Sequence, residues 1–302
     1  MYLALQDLMG RRPESAPIME HALPHLIDGS FCRIADCGAG VGHTAGHYVA
    51  ALRARFQSGM PERARVVCFE PLAENAAIIR ERFRSEPLVE IREEAVTRDA
   101  GQAVFSVPDR MTVDQGGGWV PGTSYGGLLG NIGFGEQITV PTVRLDNFPS
   151  FDFVKLDLQG GEPDALLGLG SRLRDVGIFY VEHGLFTPHD AIRSLEEQGF
   201  TVFFDQLQIG LRATDNQTIR LDEMKKRGLE IHAIYPPTVG LPLMFWGRFD
   251  SSKFCMLSEN GALTAEAREA YIQLGIDYIQ TDIIAVNPSM MKRFGKFIAS
   301  LR

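Results

Sequence analysis

From Ala35 to Thr44 the chain reads Ala35-Asp36-Cys37-Gly38-Ala39-Gly40-Val41-Gly42-His43-Thr44, with three glycines at alternate positions. Glycine turns tightly and lets a backbone approach a ligand where a Cβ would block it. Apolar residues lead in (Phe31, Ile34, Ala35) and helix-compatible residues follow (Thr44 to Phe56), so the pattern predicts strand, turn and helix. The start of that helix would add unpaired N–H groups and a partial positive charge. Such a turn suits a nucleotide-like ligand. Glu70 lies in Val67-Cys68-Phe69-Glu70-Pro71, at the tip of the next expected strand. A carboxylate there can accept hydrogen bonds from both hydroxyls of a ribose. Pro71 is expected to open the following helix, where its missing N–H costs nothing. In Glu93-Glu94-Ala95-Val96 a carboxylate or backbone group could meet an adenine ring, with Ala95 leaving room.

A second charged group interrupts the otherwise apolar run Phe153-Val154-Lys155-Leu156-Asp157-Leu158-Gln159-Gly160-Gly161-Glu162. Lys155 and Asp157 have equal parity, so both fall on one side of the strand near its end. Buried charge is expensive unless paired or used. A structural Lys155–Asp157 pair is therefore expected, and it leaves room for a functional Asp157 at the strand tip.

These residues need a scaffold. Strands and helices alternate from about Phe31 to Asp205, which predicts a mostly parallel sheet with helices on both faces. Strands are expected at Phe31–Ala35, Arg65–Phe69, Val89–Glu93, Phe151–Leu156, Gly177–Glu182 and Thr201–Asp205. Helices are expected at Thr44–Phe56, Leu72–Phe83, Asp164–Leu167 and His189–Gln198. Short strands at Ala103–Val107 and Thr139–Arg144 flank a glycine-rich stretch, residues 115–137, which reads as an insert loop: a lid or a surface excursion. A short helical segment is expected within residues 1–30, and residues 31–205 form the core. Residues 206–302 read as an extension that completes the sheet and packs on the core. That extension has strand character at Glu230–Tyr235 and helical patterns at Leu221–Arg227, Thr264–Leu274 and Ser289–Leu301.

Composition narrows the function classes. The 302 residues include 30 basic and 38 acidic side chains, for a net charge of −8. That balance argues against a nucleic-acid partner, which usually needs a basic face. No apolar run approaches the roughly 20 residues of a membrane span. Met1 to Met9 is apolar but short and lacks a basic flank, so it does not read as a signal peptide. Cys32, Cys37, Cys68 and Cys255 have neither disulfide-framework nor zinc spacing and read as reduced core thiols of a cytoplasmic protein.

Taken in order, the blocks Asp36-Cys37-Gly38-Ala39-Gly40-Val41-Gly42, Phe69-Glu70-Pro71, Glu94-Ala95-Val96 with Asp99-Ala100-Gly101, Leu145-Asp146, and Lys155 to Glu162 with Leu167-Gly168 resemble the FkbM-type methyltransferases. The match spans roughly Phe31 to Asp205, and the Lys-x-Asp-x-x-Gly-x-Glu block is its most specific part. The family usually has Glu where this chain has Gln159, which removes a negative charge. The resemblance implies S-adenosylmethionine as cofactor. It also implies the class I methyltransferase Rossmann-like fold, α/β and doubly wound, mostly parallel with an antiparallel edge strand. Within it, Gly38, Gly40 and Gly42 would hold the methionine portion, with Asp36 near its amino group. Glu70 would take the ribose hydroxyls, Glu94 and Ala95 would flank the adenine, and Asp157 would face the sulfonium and the acceptor. A carboxylate-lined pocket suits a cofactor that carries ammonium and sulfonium charge. The turn also lacks the lysine of a triphosphate-binding loop.

Methyl transfer to an alcohol needs the acceptor held at near-attack distance and its proton removed. His183, in Val181-Glu182-His183-Gly184, directly follows the fifth strand and has suitable proton affinity. Glu182 and Asp157 are alternatives, alone or as ligands of a divalent cation. His43, His47 and His189 rank below these, and His47 reads as a packing residue. The expectation is O-methylation of a small molecule, such as a sugar, a polyketide or another secondary metabolite. Two competing readings are an NAD-dependent oxidoreductase and a non-catalytic protein of the same fold. The Gly38-x-Gly40-x-Gly42 spacing disfavours the first, since nicotinamide binders prefer Gly-x-Gly-x-x-Gly. The acceptor, metal dependence and self-association into a homo-oligomer are left open.

Overall fold

The computed structural model describes residues 3–4, 18–107, 112–113, 119–120, 127–128, 136–184, 191–211, 226, 229–235, 243–249, 264–273 and 276–300. The strands are β1 (Leu3–Ala4), β2 (Arg33–Cys37), β3 (Arg65–Phe69), β4 (Val89–Arg92), β5 (Ala95–Val96), β6 (Gly101–Val107), β7 (Thr112–Val113), β8 (Trp119–Val120), β9 (Gly127–Leu128), β10 (Glu136–Val143), β11 (Phe153–Leu156), β12 (Ile178–Gly184), β13 (Thr201–Leu211), β14 (Leu229–Tyr235), β15 (Leu243–Phe249) and β16 (Ile276–Val286). The helices used below are α1 (Ile18–Leu26), α2 (His43–Arg55), α3 (Ala73–Arg82), α4 (Glu162–Leu169), α5 (Ala191–Glu197), α6 (Ala265–Gln273) and α7 (Met291–Ser300).

The main sheet has the order β14-β15-β13-β16-β12-β11-β2-β3-β4, with β1 added beside β13. Strands β4, β3, β2, β11 and β12 run parallel. The antiparallel pairings gather on the other side, where β16 lies between β12 and β13, β15 pairs with β13, and β14 pairs with β15. The expected class therefore holds, a doubly wound and mostly parallel sheet with an antiparallel side.

Alternation sorts the strand residues onto two faces. One face carries Ala35, Val67, Val154, Phe179 and Val181 against Ala165, Leu166 and Leu169 of α4 and Ala191, Ile192 and Leu195 of α5. The other carries Ile34, Val66, Phe153, Tyr180 and Ile284 against Leu23 and Leu26 of α1, Tyr48 and Leu52 of α2, and Phe294 and Phe297 of α7. Cover on both faces is why the central strands read as nearly continuous apolar runs. On the second face the pattern turns charged towards the carboxyl ends, at Asp36, Lys155 and Glu182.

A smaller sheet, β5-β10-β6-β9, branches off after β4 and has its own core of Leu72, Ala95, Phe105, Val107 and Val140. Within the glycine-rich stretch the described residues include β8 and β9, and β9 pairs with β6. The rest of that stretch up to residue 135, the Leu221–Arg227 pattern apart from Lys226, His189 and Cys255 lie outside the described residues, and Glu136 and Gln137 open β10. Two local expectations are corrected. The third helix begins at Ala73 with Leu72 as its cap, so Pro71 precedes the cap instead of opening the helix. His47 is exposed, because the buried stripe of α2 runs through Ala45, Tyr48, Val49 and Leu52.

Candidate active site

The glycine turn joins β2 to α2 at the carboxyl edge. Gly38, Gly40 and Gly42 have φ of 76°, 56° and 81°, in the left-handed region that favours glycine. The N–H groups of Gly38 and Ala39 donate to the Phe69 carbonyl at 3.0 and 3.1 Å, which fastens the turn to the end of β3. A Cβ on Gly38 would stand 1.9 Å from the Asp157 carbonyl oxygen, so the β2 and β11 tips can meet only at a glycine. A Cβ on Gly40 would meet nothing within 4 Å. The turn is closed on the Gly38 side and open at Gly40, which is the shape of a cradle.

Glu70 is buried beneath this cradle. Its Oε2 accepts the Gly40 N–H at 2.9 Å and its Oε1 accepts the Leu72 N–H at 3.0 Å. Burial raises its pKa to about 7, against the lowering effect of those two N–H groups and of Asn75. Glu94 lies between β4 and β5, and its Oε2 accepts from Arg92 Nε at 2.8 Å. Ala95 is buried in the core of the small sheet.

The charged group is larger than the expected pair. Lys155 Nζ lies 3.1 Å from Asp157 Oδ2 and 3.4 Å from Asp36 Oδ1, and it donates to the Gly38 carbonyl at 3.3 Å. Burial opposes the ammonium, but Asp157 and Asp36 outweigh it and raise the Lys155 pKa. Asp36 is fully buried, and its charged partner is Lys155. The Asp157 side chain is 40% exposed at the mouth of the group. Gln159 Nε2 donates to Asp157 Oδ1 at 3.1 Å and to Glu182 Oε2 at 2.9 Å. Asp157 and Glu182 also share a hydrogen bond. Burial and the adjacent Asp157 and Glu162 push Glu182 well above the usual carboxylate range. At Asp157 burial is outweighed by the Lys155 charge and the bonds from Glu182, Lys155 and Gln159, so its pKa falls. Burial and the neighbouring Asp157 and Glu162 thus favour the protonated form of Glu182, while Lys155 favours the ionised form of Asp157.

His183 does not join this group. It is fully buried and, by alternation along β12, shares its face with Phe179 and Val181, opposite to Tyr180 and Glu182. Glu162 was part of a recognised block but had no assigned role. It is buried, its Oε1 accepts the Leu158 N–H at 2.6 Å, and burial raises its pKa to about 7. Asp282 is a further acid that sequence reasoning missed. It pairs in register with Glu182, accepts from the Tyr180 hydroxyl at 2.7 Å, and is raised to about 7 by burial. Its signal was a lone acid in the apolar strand pattern around Ile279–Ile284.

The chemistry of these groups fits S-adenosylmethionine. The open face of Gly40 gives room for backbone approach, and Asp36 and Asp157 give negative charge for a cationic ligand. Lys155 is the one cation in the buried group, and the carboxylates of Asp36 and Asp157 engage it. Among the described residues no group of three or more His, Cys, Asp or Glu could hold a metal ion. Between Asp157 and Glu182, where a cation would bridge, stands the amide nitrogen of Gln159. Among the described residues no helix is long and apolar enough to cross a membrane.

Comparison with known proteins agrees. No curated protein matches. Solved structures overlap loosely. One is a precorrin-6y C5,15-methyltransferase from Geobacter metallireducens, at 12% identity over 94% of each chain with a TM-score of 0.38. Another is a SAM-dependent O-methyltransferase from Thermotoga maritima, at 12% identity over 94% of this chain and 70% of that one with a TM-score of 0.34. The assignment rests instead on the family model for the methyltransferase FkbM domain, which matches residues 36–202, more than half of the 302 residues. The chain belongs to the FkbM methyltransferase family and is an S-adenosylmethionine-dependent methyltransferase, which sets aside the oxidoreductase and non-catalytic readings.

Proposed function

We propose that this methyltransferase acts on a hydroxyl group of a small molecule without a carboxylate or phosphate near the reacting oxygen, such as a sugar, a polyketide or another secondary metabolite. The observation that carries this reading is the Asp157–Glu182 pair, two carboxyl groups at adjacent strand tips that are hydrogen-bonded to each other and bridged by Gln159 Nε2. S-adenosylmethionine supplies an electrophilic methyl group on a positively charged sulfur. The residues of this chain then have to bind that cation, orient the acceptor and take up one proton. Glu70 and the Gly38–Gly42 turn would hold the nucleoside and methionine parts. The partly exposed Asp157 would take the proton as the forming methyl bond makes the acceptor oxygen strongly acidic, Lys155 keeping the carboxylate ionised at a cost in basicity. The proposal assigns this proton to the acid pair instead of His183, because His183 lies on the other face of the sheet. An anionic acceptor group beside the partly exposed Asp157 carboxylate would be repelled, and the net charge of −8 also disfavours a nucleic-acid acceptor.

The test is turnover of labelled S-adenosylmethionine over a panel of alcohols, amines and carboxylates, with the methyl group located by mass spectrometry. Methyl on oxygen is expected, and methyl on nitrogen or carbon would overturn the reading. Asp157→Asn should lower kcat by about a hundredfold, the scale of a lost general base.

A further inference from the structure

Gln159 is the only non-glycine residue with positive φ among the described residues, at 53°, and Gly160 follows at 96°. A side chain in that region is strained, and glycine would adopt the same backbone without strain. The loop does not need the Gln159 side chain for its shape. Glu162 Oε1 accepts the Leu158 N–H at 2.6 Å, the Gly161 N–H donates to the Leu158 carbonyl at 3.2 Å, and the Asp157 N–H donates to the Cys37 carbonyl at 3.1 Å. The Gln159 side chain instead spends both of its recorded bonds on the acid pair, at 3.1 and 2.9 Å from one nitrogen.

We propose that Gln159 is the positioning residue of the acid pair: its amide clamps Asp157 and Glu182 against each other, and the strained backbone is what brings the amide between them. This rests on the proposed role of the pair in methyl transfer. The clamp stands where a bridging cation would otherwise sit, and it supplies two donors without adding charge. The charged and titratable groups that face the pair are Asp36 from β2, Lys155 from β11, Tyr180 from β12, Glu162 from α4 and Asp282 from β16. With those unchanged, removing the amide takes away the group that donates to both Asp157 and Glu182 at once and lets the two carboxyl groups separate.

Gln159→Gly tests this, because it keeps the loop conformation and deletes only the clamp. Three results are expected together: a melting temperature no lower than that of the natural chain, S-adenosylhomocysteine affinity within about threefold, and a kcat lower by at least about tenfold. A second readout needs no acceptor. The infrared band of the protonated Glu182 carboxyl, identified by its loss in Glu182→Gln, should titrate about one pH unit away from its natural midpoint in Gln159→Gly. Wild-type turnover in Gln159→Gly, a loss of cofactor affinity as large as the loss of kcat, or an unmoved infrared midpoint would each overturn the clamp. If the band moves but no hydroxyl acceptor is methylated by the natural chain, the clamp stands and the O-methylation reading falls.

Discussion

The Glu70 carboxylate accepts N–H groups from Gly40 and Leu72, so the residue expected at the ribose hydroxyls also ties the glycine turn to the start of α3. Ribose hydroxyls donate, so the ionised carboxylate is the form that would bind them. With burial raising the Glu70 pKa to about 7, ionisation is incomplete just below neutrality. S-adenosylhomocysteine affinity should therefore rise by up to about tenfold from pH ~6 to pH ~8 in calorimetry, the ratio of ionised fractions for such a group. Glu70→Ala should abolish that rise and weaken binding at least about tenfold, roughly 1.4 kcal/mol. Unchanged affinity in the variant would remove Glu70 from the ribose role. The residue types at these positions were legible because each sits at an expected strand tip. Their hydrogen-bond partners were not, because Gly40, Leu72 and Asn75 converge on Glu70 only once two loops are folded.

At the scale of elements, the glycine turn separates two requirements that look alike in sequence. Gly38 is where the tips of β2 and β11 touch, and Gly40 is where the turn opens. Gly38→Ala would place a Cβ 1.9 Å from a backbone carbonyl, so one loop must move, and a large fall in melting temperature or failure to fold is expected. Gly40→Ala meets no neighbour, and only its φ of 56° is strained. It should fold with a loss of about 1 kcal/mol, yet lose S-adenosylhomocysteine affinity by at least about tenfold, because the new methyl fills the cradle. Melting curves and calorimetry on the two variants check this contrast; Gly40→Ala binding at natural affinity would show that the cofactor does not use that face. Periodicity located the turn between strand and helix, but all three glycines look equivalent there. Only the neighbouring β11 tip distinguishes them.

Across the whole molecule, the acid row leaves a stability signature. Burial raises Glu70, Glu162 and Asp282 each to about 7. An acid with a raised folded-state pKa binds protons in the native chain that the unfolded chain has already released. Stability is therefore highest below the unfolded value, falls as pH climbs from about 4.5 to about 7, and levels off above that. The loss is expected to show as a lower melting temperature at pH ~7.5 than at pH ~5. A melting temperature that rises across this window would show that these groups are ionised without penalty. The row also depends on the far end of the chain. Strand β16 comes from residues 276–286 and inserts between β12 and β13, carrying Asp282 to the side of Glu182.

By itself, the sequence determined the periodic strands and helices, the doubly wound class and the ordered blocks from Asp36 to Gly168, because these depend on local spacing and on which residues a two-faced sheet can bury. Family membership followed from the same blocks. Tertiary structure decided which acids act as a group. Asp36, Lys155, Asp157 and Glu182 come from three separate strands, and their charges were set by mutual distance and by exclusion of water. It also decided against bringing His183 to Asp157: a single step along β12 sends a side chain to the opposite face, and only the packed sheet shows which face holds the charge.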